Sequence, residues 1–262
     1  MNLQPTILAK TFVALAIVLL VAAGAHAADW GSIKGRFVVD GTAPKPDPLL
    51  VTKDQFCIDK KPVNQSLVIS DKNELADAVV YVRLGAGEKI DIHPDYEAKL
   101  KEEVVLDNNG CSFHPHITFA RTGQPFAVKN SDPVGHNTNV TMQKNASFNV
   151  LIAEGQNNKM KFDKGEALPM PVRCNIHTFM EGYILVLDHP YATVSAADGT
   201  FEIKNIPAGK HKFQFWRESG NLKNVKLPGG TTDRKGQADL TIEAGQTLDL
   251  GDIKIPAASL KK

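Results

Sequence analysis

The chain has 262 residues, with 30 lysines and arginines against 29 aspartates and glutamates, for a formal net charge of +1. So even a balance argues against a nucleic-acid partner and supplies no global field to steer a charged one. It also lacks a phosphate-cradling glycine loop, a long heptad array and a nucleophile elbow, so nucleotide binding, coiled-coil assembly and serine-hydrolase chemistry have no support.

The first element in chain order is Lys10, followed by an apolar stretch from Thr11 to Gly24 and the small residues Ala25-His26-Ala27. This is the pattern of a secretory signal peptide over residues 1–27, too short for a comfortable span and without a stop-transfer flank. An uncleaved anchor is the competing reading. Cleavage near Ala28 removes the one charged residue of the leader and leaves a neutral chain with no stable membrane span, placed in a bacterial periplasm or outside the cell.

Beyond the leader, Gly31 to Val39 and Ala78 to Leu84 are β-rich runs, separated by proline-rich and polar linkers with Thr42 to Leu49 as a loop. Pro94 to Lys101 is the one plausible short helix, with a solvated charged face. Together these make an N-terminal β region, 28–102. After residue 188 come Ala192 to Ser195, then Asp198-Gly199 as a turn before the alternating Phe201 and Ile203, then Lys210 to Trp216. The fold class is all-β.

Chemistry concentrates in the middle. Cys174-Asn175-Ile176-His177-Thr178-Phe179-Met180 packs a thiolate, an imidazole and a thioether into seven residues, and His136 supplies a second imidazole from Asn130 to Asn137. Thiolate and thioether favour Cu(I) and imidazole serves both oxidation states, so a His2Cys set with a weak axial Met suits one copper ion that moves single electrons. Zinc is more often held by four strong ligands, and a thioether is a poor one. Inert buried cysteine, gap-filling methionine and solvated loop histidine are each common singly. Their coincidence at this spacing favours the metal.

Three cysteines in an exported chain read as one pair plus one metal ligand. Cys57 and Cys111 are the candidate disulfide. Two buried free thiols are one alternative, and Cys111 acting with His114 and His116 in a second metal site is another, since the two histidines would share a strand face. A multicopper oxidase would carry several H-x-H motifs and a binuclear copper centre two cysteines in the ligand loop. This chain has one H-x-H and one complete set, so an enzyme is not expected.

Residues 103–188 resemble the cupredoxins, the plastocyanin- and amicyanin-like type 1 blue copper proteins. The resemblance runs through Phe113-His114-Pro115-His116-Ile117, the strand Gly123 to Asn130, His136-Asn137, the Cys174 to Met180 loop and the closing strand Gly182 to Val186. Gln124 stands where the family usually has an acidic residue. The resemblance implies a Greek-key β-sandwich with His136, Cys174, His177 and Met180 as copper ligands and Asn137 tying the two ligand loops together. It further implies protein redox partners docking on an apolar patch around an exposed His177 ring edge, with Pro133, Val134, Met170 and Phe179 as contributors.

Asp198 to Trp216 is similar to the second half of carboxypeptidase regulatory-like, or transthyretin-like, sandwich domains, and Gly31 to Val39 with Ala78 to Val82 resembles the missing first half. This implies a discontinuous sandwich built from 28–102 and 189–262, with the cupredoxin part inserted and the proposed disulfide linking the two. Pairing between strands 31–39 and 200–204 is required by that arrangement; the alternative is an elaborated N-terminal region with a separate tail. The expected function is an exported one-electron carrier. A periplasmic copper carrier or store, or a β-sandwich binding or scaffold module, are the competing readings.

Overall fold

The computed structural model describes Met1, residues 30–218 and residues 220–260. The leader and its cleavage site lie outside the described residues. Among the described residues no helix is long and apolar enough to cross a membrane.

The chain is all-β and builds two layered bodies from three stretches of sequence. The first and last stretches share one body. Strand β1 (Trp30–Asp40) has β-branched and aromatic residues alternating with polar ones, which suits a strand with one buried face. It and β2 (Val79–Val82) come from the N-terminal region.

The middle stretch contributes β3 (Val104–Asn108), β4 (Phe113–His114), β5 (Ile117–Arg121), β6 (Phe126–Asn130), β7 (His136–Val140), β8 (Phe148–Ile152), β9 (Asn157–Met160), β10 (Met170–Arg173) and β11 (Glu181–Leu187). They form a four-stranded sheet ordered β4-β3-β6-β9 and a five-stranded sheet ordered β5-β11-β10-β7-β8. Leu106, Phe113, Phe126, Val128, Val140, Val172 and Ile184 are fully buried in this body's core.

The C-terminal stretch begins with β12 (Ala192–Val194), β13 (Thr200–Pro207) and β14 (Gly209–Arg217). Three two-residue strands follow, β15 (Gly220–Asn221), β16 (Lys226–Leu227) and β17 (Gly230–Thr231), then β18 (Gln237–Ile242) and β19 (Thr247–Pro256). Strand β1 lies between β13 and β19, antiparallel to the first and parallel to the second. Ile33 faces Ile203 and Leu248, and Phe37 faces Ile253. Strand β2 joins β12 and β14, with β18 on the other edge of β14.

The Asp198-Gly199 turn forms as expected. Gly199 has φ +75°, and a Cβ there would lie 2.4 Å from the Phe37 carbonyl oxygen, so a side chain is excluded on both counts. Its own carbonyl accepts from Phe37 N at 2.9 Å, which seats the turn against β1.

The helix expected over Pro94 to Lys101 is instead two 3-10 turns, Pro94–Tyr96 and Ala98–Lys101. The amides of Tyr96, Glu97, Leu100 and Glu102 each bond the carbonyl three residues back, and no residue of either turn is buried, so no apolar stripe extends the coil. A six-residue helix α1 (Gln55–Lys60) stands in the N-terminal linker. Its Cys57 is joined to Cys111 by a disulfide with a Cα–Cα distance of 5.5 Å. Val51, Phe56 and Cys57 pack against the core of the middle body.

Candidate metal centre

Both ligand segments emerge at one end of the five-stranded sheet. Strand β7 starts at His136, and the loop from Cys174 to Met180 connects β10 to β11. Antiparallel pairing of Val172 with Val140 and of Arg173 with Asn139 brings the two segments side by side. The loop is a closed turn: Met180 N donates to His177 O at 2.8 Å and Cys174 N to Met180 O at 3.3 Å.

His136, Cys174, His177 and Met180 are each at most 2% exposed. The Cys174 Sγ lies 3.9 Å from His136 Nδ1 and 3.8 Å from His177 Nδ1, and the two Nδ1 atoms are 3.0 Å apart. An ion held at ordinary metal–nitrogen and metal–sulfur distances in a trigonal plane would space its donors by roughly 3.5–3.7 Å. The sulfur–nitrogen spacings fit that closely and the nitrogen–nitrogen spacing is tighter. Met180 is buried in the same core cluster as Cys174.

Carboxylates behind the rings set which nitrogen faces the sulfur. His136 Nε2 is 2.9 Å from Asp132 Oδ2, and His177 Nε2 is 2.6 Å from Asp54 Oδ2. A carboxylate accepts, so each Nε2 carries the hydrogen and each Nδ1 turns a lone pair toward the other and toward Cys174. Two lone pairs at 3.0 Å beside a thiol sulfur attract a cation. Burial, and next the neighbouring His177, push the His136 imidazole below its ordinary pKa, against the pull of Asp132. That favours the neutral ring a metal needs.

Asp132 is itself held. Its Oδ1 accepts from Gly110 N at 2.6 Å and its Oδ2 from Cys111 N at 2.8 Å. Gly110 and Cys111 both have positive φ, and successive amides in such a turn point into one anion-binding concavity. Cys111 also lies near Asp132 and His136, but its sulfur is in the disulfide and cannot serve as a ligand.

Asn137 joins the two segments. Its Oδ1 accepts from Asn175 N at 2.7 Å and Ile176 N at 3.2 Å and lies 3.5 Å from the Cys174 Sγ, while its Nδ2 donates to Asn149 Oδ1 at 2.7 Å. Cys174 is the one free cysteine among the described residues.

The expected docking patch needs correction. Met170 is buried rather than at the surface, Val134 and Phe179 are half-buried against the core, and Pro133 is exposed. The His177 side chain is 0% exposed, because Asp54 at the head of α1 covers the edge that the resemblance leaves open. The alternative second site is not assembled either: Cys111 is oxidised, His114 is exposed, and His116 is buried with its Nε2 2.7 Å from Glu218 Oε2.

Sequence reasoning missed both backing carboxylates. Asp132 is legible in hindsight, four residues before His136. Asp54 is 123 positions from His177 and carries no local signal.

No protein-family model and no curated protein matches the chain. Among solved structures, a copper-containing nitrite reductase from Thermus scotoductus aligns at 22% identity and TM-score 0.30 over 40% of this chain, which spans a quarter of the reductase's length. An oxidised amicyanin variant aligns at 17% identity and TM-score 0.29, covering 32% of this chain and 81% of amicyanin. A purple cupredoxin from Nitrosopumilus maritimus aligns at 17% identity and TM-score 0.27, covering 33% and 99%.

Proposed function

We propose that this is an exported copper protein that carries single electrons between protein redox partners through one mononuclear type 1 site and catalyses no reaction of its own. The observation that carries this reading is the convergence of His136 Nδ1, His177 Nδ1 and Cys174 Sγ in a buried cluster with Met180 in the same core. His136, Cys174 and His177 would hold copper strongly, with Met180 as a weaker sulfur donor; bound copper would supply a one-electron couple. Asn137 braces the two ligand segments, and a braced site has little to rearrange when the charge changes. The body built from both chain ends supports the reading of the middle body as an inserted copper domain, roughly 103–188, with the arm around α1 as its cover.

A copper store or carrier is the second reading, favoured by the closed ring edge of His177. The test is the visible spectrum of the purified protein after Cu(II) loading and again after ascorbate reduction, with Cys174→Ser as control. The expected result is an intense visible band that bleaches on reduction, returns on reoxidation and is lost in the variant. A folded, copper-replete protein without that band would overturn the blue-copper assignment. A band that does not cycle would leave the store.

A further inference from the structure

The His177 ring is sealed by a residue from a remote part of the chain, and the way that residue is held is unusual. Asp54 Oδ2 lies 2.6 Å from His177 Nε2, across 123 positions of sequence. The Asp54 backbone has φ +58° and ψ 118°, a conformation that costs an L-residue with a side chain. Asp54 is the N-cap of α1 and its carbonyl accepts from Ile58 N at 3.1 Å, but its side chain makes no cap hydrogen bond to the helix and is left for His177. The same residue that carries this backbone conformation places its carboxylate on His177.

The segment is also fastened. Three residues after Asp54, Cys57 is bonded to Cys111, whose amide donates to Asp132, the carboxylate behind His136. One covalent link therefore joins the supports of both imidazoles. Val51 and Phe56 pack on the same core as Cys174 and Met180, so the arm is seated on either side of Asp54.

Resting on the copper reading above, we infer that Asp54 is a positioning residue of the metal centre: its carboxylate fixes His177 with Nδ1 inward, closes the ring edge to water, and biases the site toward the oxidised ion. The bias follows from charge. An anion one imidazole away from the ion stabilises the higher oxidation state more than the lower; the Asp54 side chain is 39% exposed, so solvent screens part of that effect and salt should weaken it.

Two substitutions separate charge from geometry. Asp54→Asn keeps an oxygen that can accept from Nε2 and suits positive φ, but removes the charge. Asp54→Gly removes the side chain where glycine relieves the backbone, so loss of folding is not built into the variant. In the metal-free protein, the nitrogen NMR signals of His177 should show hydrogen on Nε2 in the wild type and in Asp54→Asn, and a mixture of tautomers with faster hydrogen exchange in Asp54→Gly. In the copper-loaded protein, equilibrated against a one-electron mediator couple, Asp54→Asn should raise the ratio of reduced to oxidised copper about tenfold, which for one electron is 59 mV. Unchanged His177 signals in Asp54→Gly, or a ratio in Asp54→Asn that stays the same or falls, would overturn the inference. The NMR arm needs no copper, so loss of the copper reading would be seen separately, as absence of the visible band in the wild type.

Discussion

His189 is a buried imidazole outside the metal centre and gives the chain a pH dependence of its own. It is 2% exposed, its Nδ1 accepts from Tyr191 N at 3.2 Å, and its ring stacks on Tyr191 at 5.7 Å. Burial pushes its pKa from 6.5 down to about 4, against the smaller upward pull of the Val82 backbone and Asp188. Between those two values the unfolded chain binds a proton that the folded chain refuses, so stability rises with pH through that window and is lost as pH falls through it. The full effect is about 3 kcal/mol. Because carboxylates titrate nearby, the measurement is a difference: urea midpoints from pH 7 to pH 4 for the wild type and His189→Asn, with the variant falling less steeply by about one proton. Parallel curves would show that His189 is not the group responsible. The metal ligands show what sequence can carry. Cys174, His177 and Met180 sit in seven consecutive residues, and His136-Asn137 opens a strand, so their grouping is written locally. Asp54 works only through a distant loop, and no periodicity or motif marks it among the aspartates.

At the scale of elements, the unexpected piece is α1. Six residues with one buried position make no amphipathic pattern, and the helix stands because tertiary contacts hold it: Cys57 in the disulfide, Phe56 on the core, and Lys61 in a left-handed conformation closing its end onto Ile58 O at 3.3 Å. Residues 94–101 are the opposite case, since their composition allows a helix but no apolar stripe sustains one. The disulfide closes a separation of 54 residues. In the chain-entropy view such a link stabilises by about 4 kcal/mol, chiefly by restricting the unfolded chain. Replacing both cysteines by serine should therefore lower the unfolding free energy by roughly 2–5 kcal/mol in denaturant titrations. It should also speed hydrogen exchange across residues 51–60 more than in β14. Equal protection of the arm in the variant would mean that Val51 and Phe56 hold it without the covalent link.

For the whole molecule, the decisive strand is β2. All four of its residues are buried, and they divide by alternation: Val80 and Val82 enter the core of the body built from both chain ends, while Val79 and Tyr81 join Ile117, Leu185, Leu187 and Trp216 at the junction with the middle body. Tyr183 and Trp216 meet there with ring centroids 5.0 Å apart. The pairing of β1 with β13 could be anticipated because the glycine turn and the alternating Phe201 and Ile203 are local signals. The parallel partner β19 could not, since parallel pairing needs no adjoining turn and leaves no mark in the chain between. A strand buried on both faces couples the two bodies, and that coupling has a thermal consequence. Phe37 is 0% exposed, stacked at 4.9 Å on Phe201 and far from the metal ligands in sequence and sheet. Phe37→Ala should cost about 3–5 kcal/mol and lower the melting temperature by roughly 10 °C. If β2 transmits the loss, calorimetry of the metal-free variant shows one transition, shifted as a whole, with tryptophan fluorescence and the near-ultraviolet signal of the middle body melting together. Two transitions, of which only one moves, would show instead that the middle body stands without the sheet that encloses it in sequence.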